Sequence, residues 1–286
     1  MAIKVVVDST SYIPKGLREE YDISVIPLSV VFSDGPVLET EITNEEFYSR
    51  LEQEDEIPKS SQPMIEDVYN LFESIVKNGD EIIGVFISSE MSGTFSTANM
   101  VKEMILDKYP KAKIELIDSR SNCMQLGYAA ITAARAAKEG KSLEEVVQAV
   151  KGNIKRSKFV FIPDTLEYLR KGGRIGTAKA LLGSLLQLKP ILTVIDGKTD
   201  VITKVRSKKK AIEKMVEIFL EDIKKYGLGE VIVHHINCEA EAKELANTIK
   251  NLIDKGVDIC SIGPVIGVHV GPGALGIVYY TKEEIG

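Results

Sequence analysis

Short runs of β-branched and other apolar residues recur along this chain with helix-like segments between them, and that alternation limits the possible folds more than any other feature. The runs cover residues 3–7, 82–87, 114–117, 159–162, 231–233 and 275–280. Their near-continuous apolar character reads as strands buried on both faces, as in a parallel sheet. Helices are expected at 44–51, 65–78, 95–108, 127–139, 143–154, 178–188, 209–226 and 240–255. Such alternation defines an α/β protein. Helix 95–108 sets Ala98, Val101 and Ile105 on one side, with Lys102 and Lys108 elsewhere, so it packs on a sheet.

A chain of 286 residues buries a sizeable core and suits two modest domains. The stretch from Pro163-Asp164 to Gly172-Gly173-Arg174 breaks the pattern with a proline, a glycine pair and charges, which suits a crossover between domains. The expected division is 1–160 and 161–286. A hydrophobic fraction of 44% and a charged fraction of 27% belong to an ordinary globular protein. Net charge is −6, which supplies no general attraction to nucleic acid or anionic lipid. The opening apolar run is too short for a secretory signal, and no segment reaches the roughly 18 apolar residues of a membrane span. A cytoplasmic protein is expected.

Cys123, Cys238 and Cys260 are odd in number and widely spaced, which fits buried small hydrophobes better than a disulfide framework or a metal knuckle. His234, His235 and His269 lack the i, i+4 partner of a helical zinc site, so no metal is expected. Residues 271–276 spell G-x-G-x-x-G, but they lead into an apolar strand and not a helix, which removes the dinucleotide reading. Gly140-Lys141-Ser142 has Arg135 where a P-loop needs its first glycine.

Several expected strands run straight into hydroxyl or acidic residues: Val7 into Asp8-Ser9-Thr10-Ser11, Ile87 into Ser88-Ser89, and Ile117 into Asp118-Ser119. In an open parallel sheet the carboxyl ends of the strands share one edge, outside which ligands bind. The same residue types also cap helices, so pattern alone leaves both roles open. Ser92-Gly93-Thr94 opens the 95–108 helix with outward-pointing amides, which suits an anion. Ser60-Ser61 precedes the next helix and is either a second hydroxyl pair or its cap. Basic clusters at Arg170–Arg174 and Lys204–Lys210 are local positive patches or simply solvated segments, and they lack the interleaved aromatics of a nucleic-acid site.

Six motifs in order make the chain resemble the DegV family over nearly its whole length. They are Asp8-Ser9-Thr10-Ser11, Pro27-Leu28-Ser29-Val30, Ser60-Ser61-Gln62-Pro63, Ser88-Ser89-x-x-Ser92-Gly93-Thr94, Gly172-Gly173-Arg174-Ile175 and His269-x-Gly271-x-Gly273. The resemblance implies two α/β domains, the N-terminal one with a parallel sheet and the C-terminal one with a mixed sheet, and a lipid tunnel between them. It implies a long-chain fatty acid such as palmitate as ligand, no cofactor, no catalysis by the chain itself, and a fatty acid kinase as partner that phosphorylates the bound carboxylate to an acyl phosphate. The family's carboxylate ligands fall on Ser60, Ser92 with the Gly93 amide, and His269. Ser60 stands where many relatives carry threonine, and it keeps the hydroxyl. Arg206 matches a basic position of the kinase-docking surface, and Arg174 lies in a motif without an assigned role. Leu181, Leu182, Leu185 and Leu186 are expected as tunnel walls or as ordinary core.

Two other classes remain open. A serine-dependent acyl hydrolase has serines and a histidine available, but no G-x-S-x-G elbow occurs, and Gly183-Ser184 lacks the surrounding pattern. A lipid-sensing regulatory protein is the third reading.

Overall fold

Val5, Val6 and Val7 are at most 2% exposed, and all six residues of 81–86 are buried, as strands covered on both faces require. The structure, a computed structural model, describes residues 2–182 and 188–285. The chain forms two compact units, one of residues 1–29 and 61–155, the other of residues 30–60 and 156–286.

With elements numbered along the chain, the first unit holds strands β1 (Ile3–Asp8), β2 (Ser24–Ile26), β6 (Glu81–Phe86) and β7 (Ile114–Asp118). They form a parallel sheet in the order β2-β1-β6-β7. Helices α3 (Ile65–Lys77) and α4 (Thr94–Lys108) supply Val68, Phe72, Ala98, Val101 and Ile105 to a core shared with Val6, Ile82 and Phe86. The expected stripe on 95–108 is therefore the buried one. α5 (Cys123–Lys138) is rich in alanine and buried nearly all round, whereas α6 (Leu143–Arg156) buries one stripe. A short helix, α1 (Lys15–Glu20), links β1 to β2.

The second unit is built on a six-stranded sheet ordered β10-β9-β8-β13-β11-β12. Its strands are β8 (Ser157–Ile162), β9 (Lys189–Ile195), β10 (Lys198–Val205), β11 (Leu228–His235), β12 (Asp258–Ser261) and β13 (Leu275–Thr281). Only β11 and β12 pair in parallel; the runs expected at 159–162, 231–233 and 275–280 meet antiparallel. Central antiparallel strands are as dry as parallel ones, so an apolar run does not report strand direction. α8 (Lys208–Tyr226) and α9 (Glu239–Ile253) bury Met215, Phe219, Leu245 and Ile249 against the sheet.

Residues 30–60, expected in the N-terminal domain, belong to this second unit. They form α2 (Asn44–Leu51) and a small sheet ordered β4 (Gly35–Leu38), β3 (Ser29–Phe32), β5 (Lys59–Ser61). Polar contacts with distant sequence hold them there. Asn44 donates to Ser261 (2.7 Å), Tyr48 to the Ile262 carbonyl (3.3 Å), and the Val265 amide donates to Glu39 (2.9 Å). Division at 160 overlooked this excursion because long-range pairing leaves no local signature. The stretch read as a crossover instead holds α7 (Glu167–Lys171). Gly173, at φ +71°, closes that helix with 173→170 and 174→169 amide–carbonyl bonds, the Schellman arrangement.

Of the helix expected at 178–188, the described start lies in a 3₁₀ segment, Gly176–Leu181, and residues 183–187 lie outside the described residues. Leu182 is exposed, and Leu185 and Leu186 lie outside the described residues. Cys123 is fully buried, while Cys238 and Cys260 are half-buried. No helix among the described residues is long and apolar enough to cross a membrane.

Candidate functional site

His269 stands in α10 (Pro264–Val270), a helix of seven residues with proline in its first turn and Gly271, at φ +83°, as its cap. The helix is tied down through the Val265 amide on Glu39, and Gly267 has no Cβ, which admits Phe47 and Tyr48. His269 Nε2 lies 2.7 Å from the Ser60 hydroxyl, so two residues 209 apart in sequence meet within the second unit. The Nδ1 edge of the ring lies against Gly172. A Cβ there would overlap Nδ1, and this is a demand the glycine pair did not reveal in sequence.

Beside this pair opens a pocket of about 490 Å³, lined among others by Lys59, Lys171, Arg174 and Glu56. Three cations to one carboxylate favour an anion. Burial, helped by the Arg174 guanidinium, pushes the His269 imidazole down to about 4, so it is neutral near pH 7. Nδ1 is buried without a hydrogen-bond partner. Arg174, unassigned from sequence, borders the pocket and donates to the Gly172 carbonyl (2.5 Å).

Ser92 and Gly93 form a second polar cluster, in the first unit. The order β2-β1-β6-β7 reverses direction between β1 and β6, and ligands of open parallel sheets bind outside the strand ends at such a reversal. The turn after β6 carries both residues. The Ser92 hydroxyl lies 2.9 Å from that of Thr94 and accepts the Thr94 amide at 3.3 Å, so this amide, expected to point outward, is engaged locally. Gly93 is exposed, and a Cβ there would strike the Gln62 side chain.

Arg206 is exposed and lies away from Ser60 and His269, at a different pocket of about 550 Å³ with Arg170, Lys189 and Asp164. The other two histidines are structural. His234 is fully buried with Nδ1 3.0 Å from the Cys260 carbonyl, and His235 faces the Cys238 amide.

Comparison with known proteins agrees with these motifs. The sequence model of DegV, described as an uncharacterised protein of the DegV family, matches residues 2–282. A DegV domain-containing protein of Clostridium acetobutylicum is 56% identical over 285 residues, covering all of both chains. The crystal structure of DegV from Bacillus subtilis, described as a fatty acid binding protein, is 36% identical, with a TM-score of 0.88 over 99% of this chain and 100% of that one. A stearic acid-binding protein of Eubacterium ventriosum is 26% identical, with a TM-score of 0.90 over 98% of each chain. The chain belongs to the DegV family.

Proposed function

We propose that this chain binds one long-chain fatty acid such as palmitate, takes its carboxylate on Ser60 and His269 with Ser92 and the Gly93 amide as further donors, and presents it to a fatty acid kinase for conversion to an acyl phosphate. The observation that carries the reading is the Ser60–His269 pair, 2.7 Å apart beside a pocket bearing Lys59, Lys171 and Arg174. Relatives of the same fold described as fatty acid binding proteins support it.

Each buried methylene contributes about 0.8 kcal/mol, so a 16-carbon tail gains on the order of 10 kcal/mol before ordering costs. Charge-assisted hydrogen bonds to the head contribute roughly 1.5–3 kcal/mol each. The tail therefore sets most of the affinity and the head sets the position. Binding of this kind needs no cofactor and suits a cytoplasmic protein. In this reading Arg206 is the docking residue for the kinase.

The hydrolase reading would make Ser60 a nucleophile and His269 its base. An imidazole held near 4 is a weak base, and its Nδ1 has no carboxylate to orient it. No turnover of a chromogenic acyl ester is expected. Titration calorimetry with palmitate tests the binding reading. Ser60→Ala, Ser92→Ala and His269→Ala should each weaken binding about tenfold or more. Unchanged affinity in all three would remove the head-group assignment.

A further inference from the structure

We propose that Asp8 and Asp118 are positioning residues for Ser92: two strand-end carboxylates that grip the start of the β6–α4 turn from either side. The proposal rests on the fatty-acid reading of Ser92. β6 lies between β1 and β7, and Asp8 and Asp118 are the last residues of those flanking strands. The Ile87 amide donates to Asp8 Oδ2 at 2.6 Å. The Ser89 hydroxyl donates to Asp118 Oδ2 at 2.6 Å, and the Ser89 amide faces both Asp118 oxygens at 3.3 Å. Between them the Ser88 amide donates to the Ser121 carbonyl at 2.8 Å.

Three successive amides leaving β6 are thus fixed. The Ser88 carbonyl then accepts the Met91 and Ser92 amides at 2.9 and 3.1 Å, which places Ser92 one turn from the anchored segment. Each carboxylate is itself held. Asp8 Oδ1 accepts the Thr10 amide (3.0 Å) and hydroxyl (2.5 Å), and Asp118 Oδ1 accepts the Arg120 amide (2.8 Å). Asp8 is fully buried, and burial raises its carboxyl to about 6. A neutral amide would be cheaper to bury there, but only a carboxylate accepts at both oxygens.

The test is a double-mutant cycle on palmitate affinity with Asp8→Asn, Asp118→Asn and Ser92→Ala, alone and combined. Asparagine turns an amide donor toward the Ile87 or Ser89 amide, so each aspartate variant should bind about fivefold more weakly in the wild-type background. In the Ser92→Ala background the same substitutions should cost nothing further, because their effect passes through Ser92. Should Asp8→Asn fail to fold, the partly exposed Asp118 decides alone. Full affinity in Asp118→Asn, or losses that simply add to that of Ser92→Ala, overturns the positioning role while the fatty-acid site stands. Full affinity in Ser92→Ala alone overturns the head-group reading and this proposal with it.

Discussion

Gly172→Ala isolates the packing that holds His269. Gly172 has an ordinary helical φ of −74°, so alanine is conformationally welcome and would by itself favour the helix end by about 0.5–1 kcal/mol. The larger obstacle is His269, because the new methyl would overlap Nδ1; it would also crowd the Tyr168 carbonyl at 3.1 Å, a contact that a small backbone shift relieves. A retreat of about 1 Å restores ordinary contact. The ring cannot slide toward Ser60, already 2.7 Å away, so it must swing and lose that hydrogen bond. A ring swung out of place also loses the proposed bond to the ligand's carboxylate, a charge-assisted bond of roughly 1.5–3 kcal/mol, which weakens palmitate binding by about ten- to a hundredfold. Titration calorimetry measures this directly. Gly152→Ala in α6 is the control: nothing lies within 4 Å of its added Cβ, so it should raise the urea midpoint and leave binding alone. Wild-type affinity in Gly172→Ala would refute the argument that this glycine sets the place of His269.

A carboxylate bound beside His269 favours the imidazolium, so binding should take up part of a proton near pH 7, with heats that differ between buffers of different ionisation enthalpy; buffer-independent heats would contradict this. Burial lowers His234 and His269 to about 4, so the stability they supply is complete above about 6.5 and is lost as pH falls toward 4. Asp8, raised to about 6, acts in the opposite sense, being destabilising when ionised and relieved as pH falls below 6, so Asp8→Asn should steepen the acid loss in urea melts; an unchanged slope counts against it. Tyr279 is buried and donates to Asp222 at 2.5 Å, so Tyr279→Phe should lower stability by about 1–2 kcal/mol in urea melts without altering palmitate binding. Arg206→Ala should keep full palmitate affinity and lower acyl phosphate formation with the cognate kinase; equal loss of both would contradict a docking role.

Most of the first unit was readable because β1, β6, β7 and helices α3 to α6 each carry a local pattern, whereas the short α1 and β2 went unread. Helix α2, in the second unit, was also placed to the residue: Thr43 and Glu46 form a reciprocal capping box at its start. The second unit was harder where the signal is long-range or punctual. The β9–β10 hairpin turns on Asp196-Gly197, both at positive φ, a pair that announces a tight turn but went unread although the apolar run Ile191–Ile195 precedes it. α10 went unread because seven residues with a glycine in the middle are too few to show a helical period, although Gly263-Pro264 at the start and Gly271-Pro272 at the end mark a short helix. Ser60, Ser92 and His269 were visible as motif residues. That Ser60 touches His269, and that Gly172 makes room for it, depends on folding residues 30–60 onto the far end of the chain.

Native mass spectrometry of the purified protein, followed by identification of whatever solvent extracts from it, bears most directly on the central claim. The account predicts an added mass matching a long-chain fatty acid at close to one per chain, with occupancy sharply reduced in a Ser60→Ala, His269→Ala double variant. A chain that carries no acyl ligand and takes up none from added palmitate, or a double variant as fully loaded as the wild type, would contradict it.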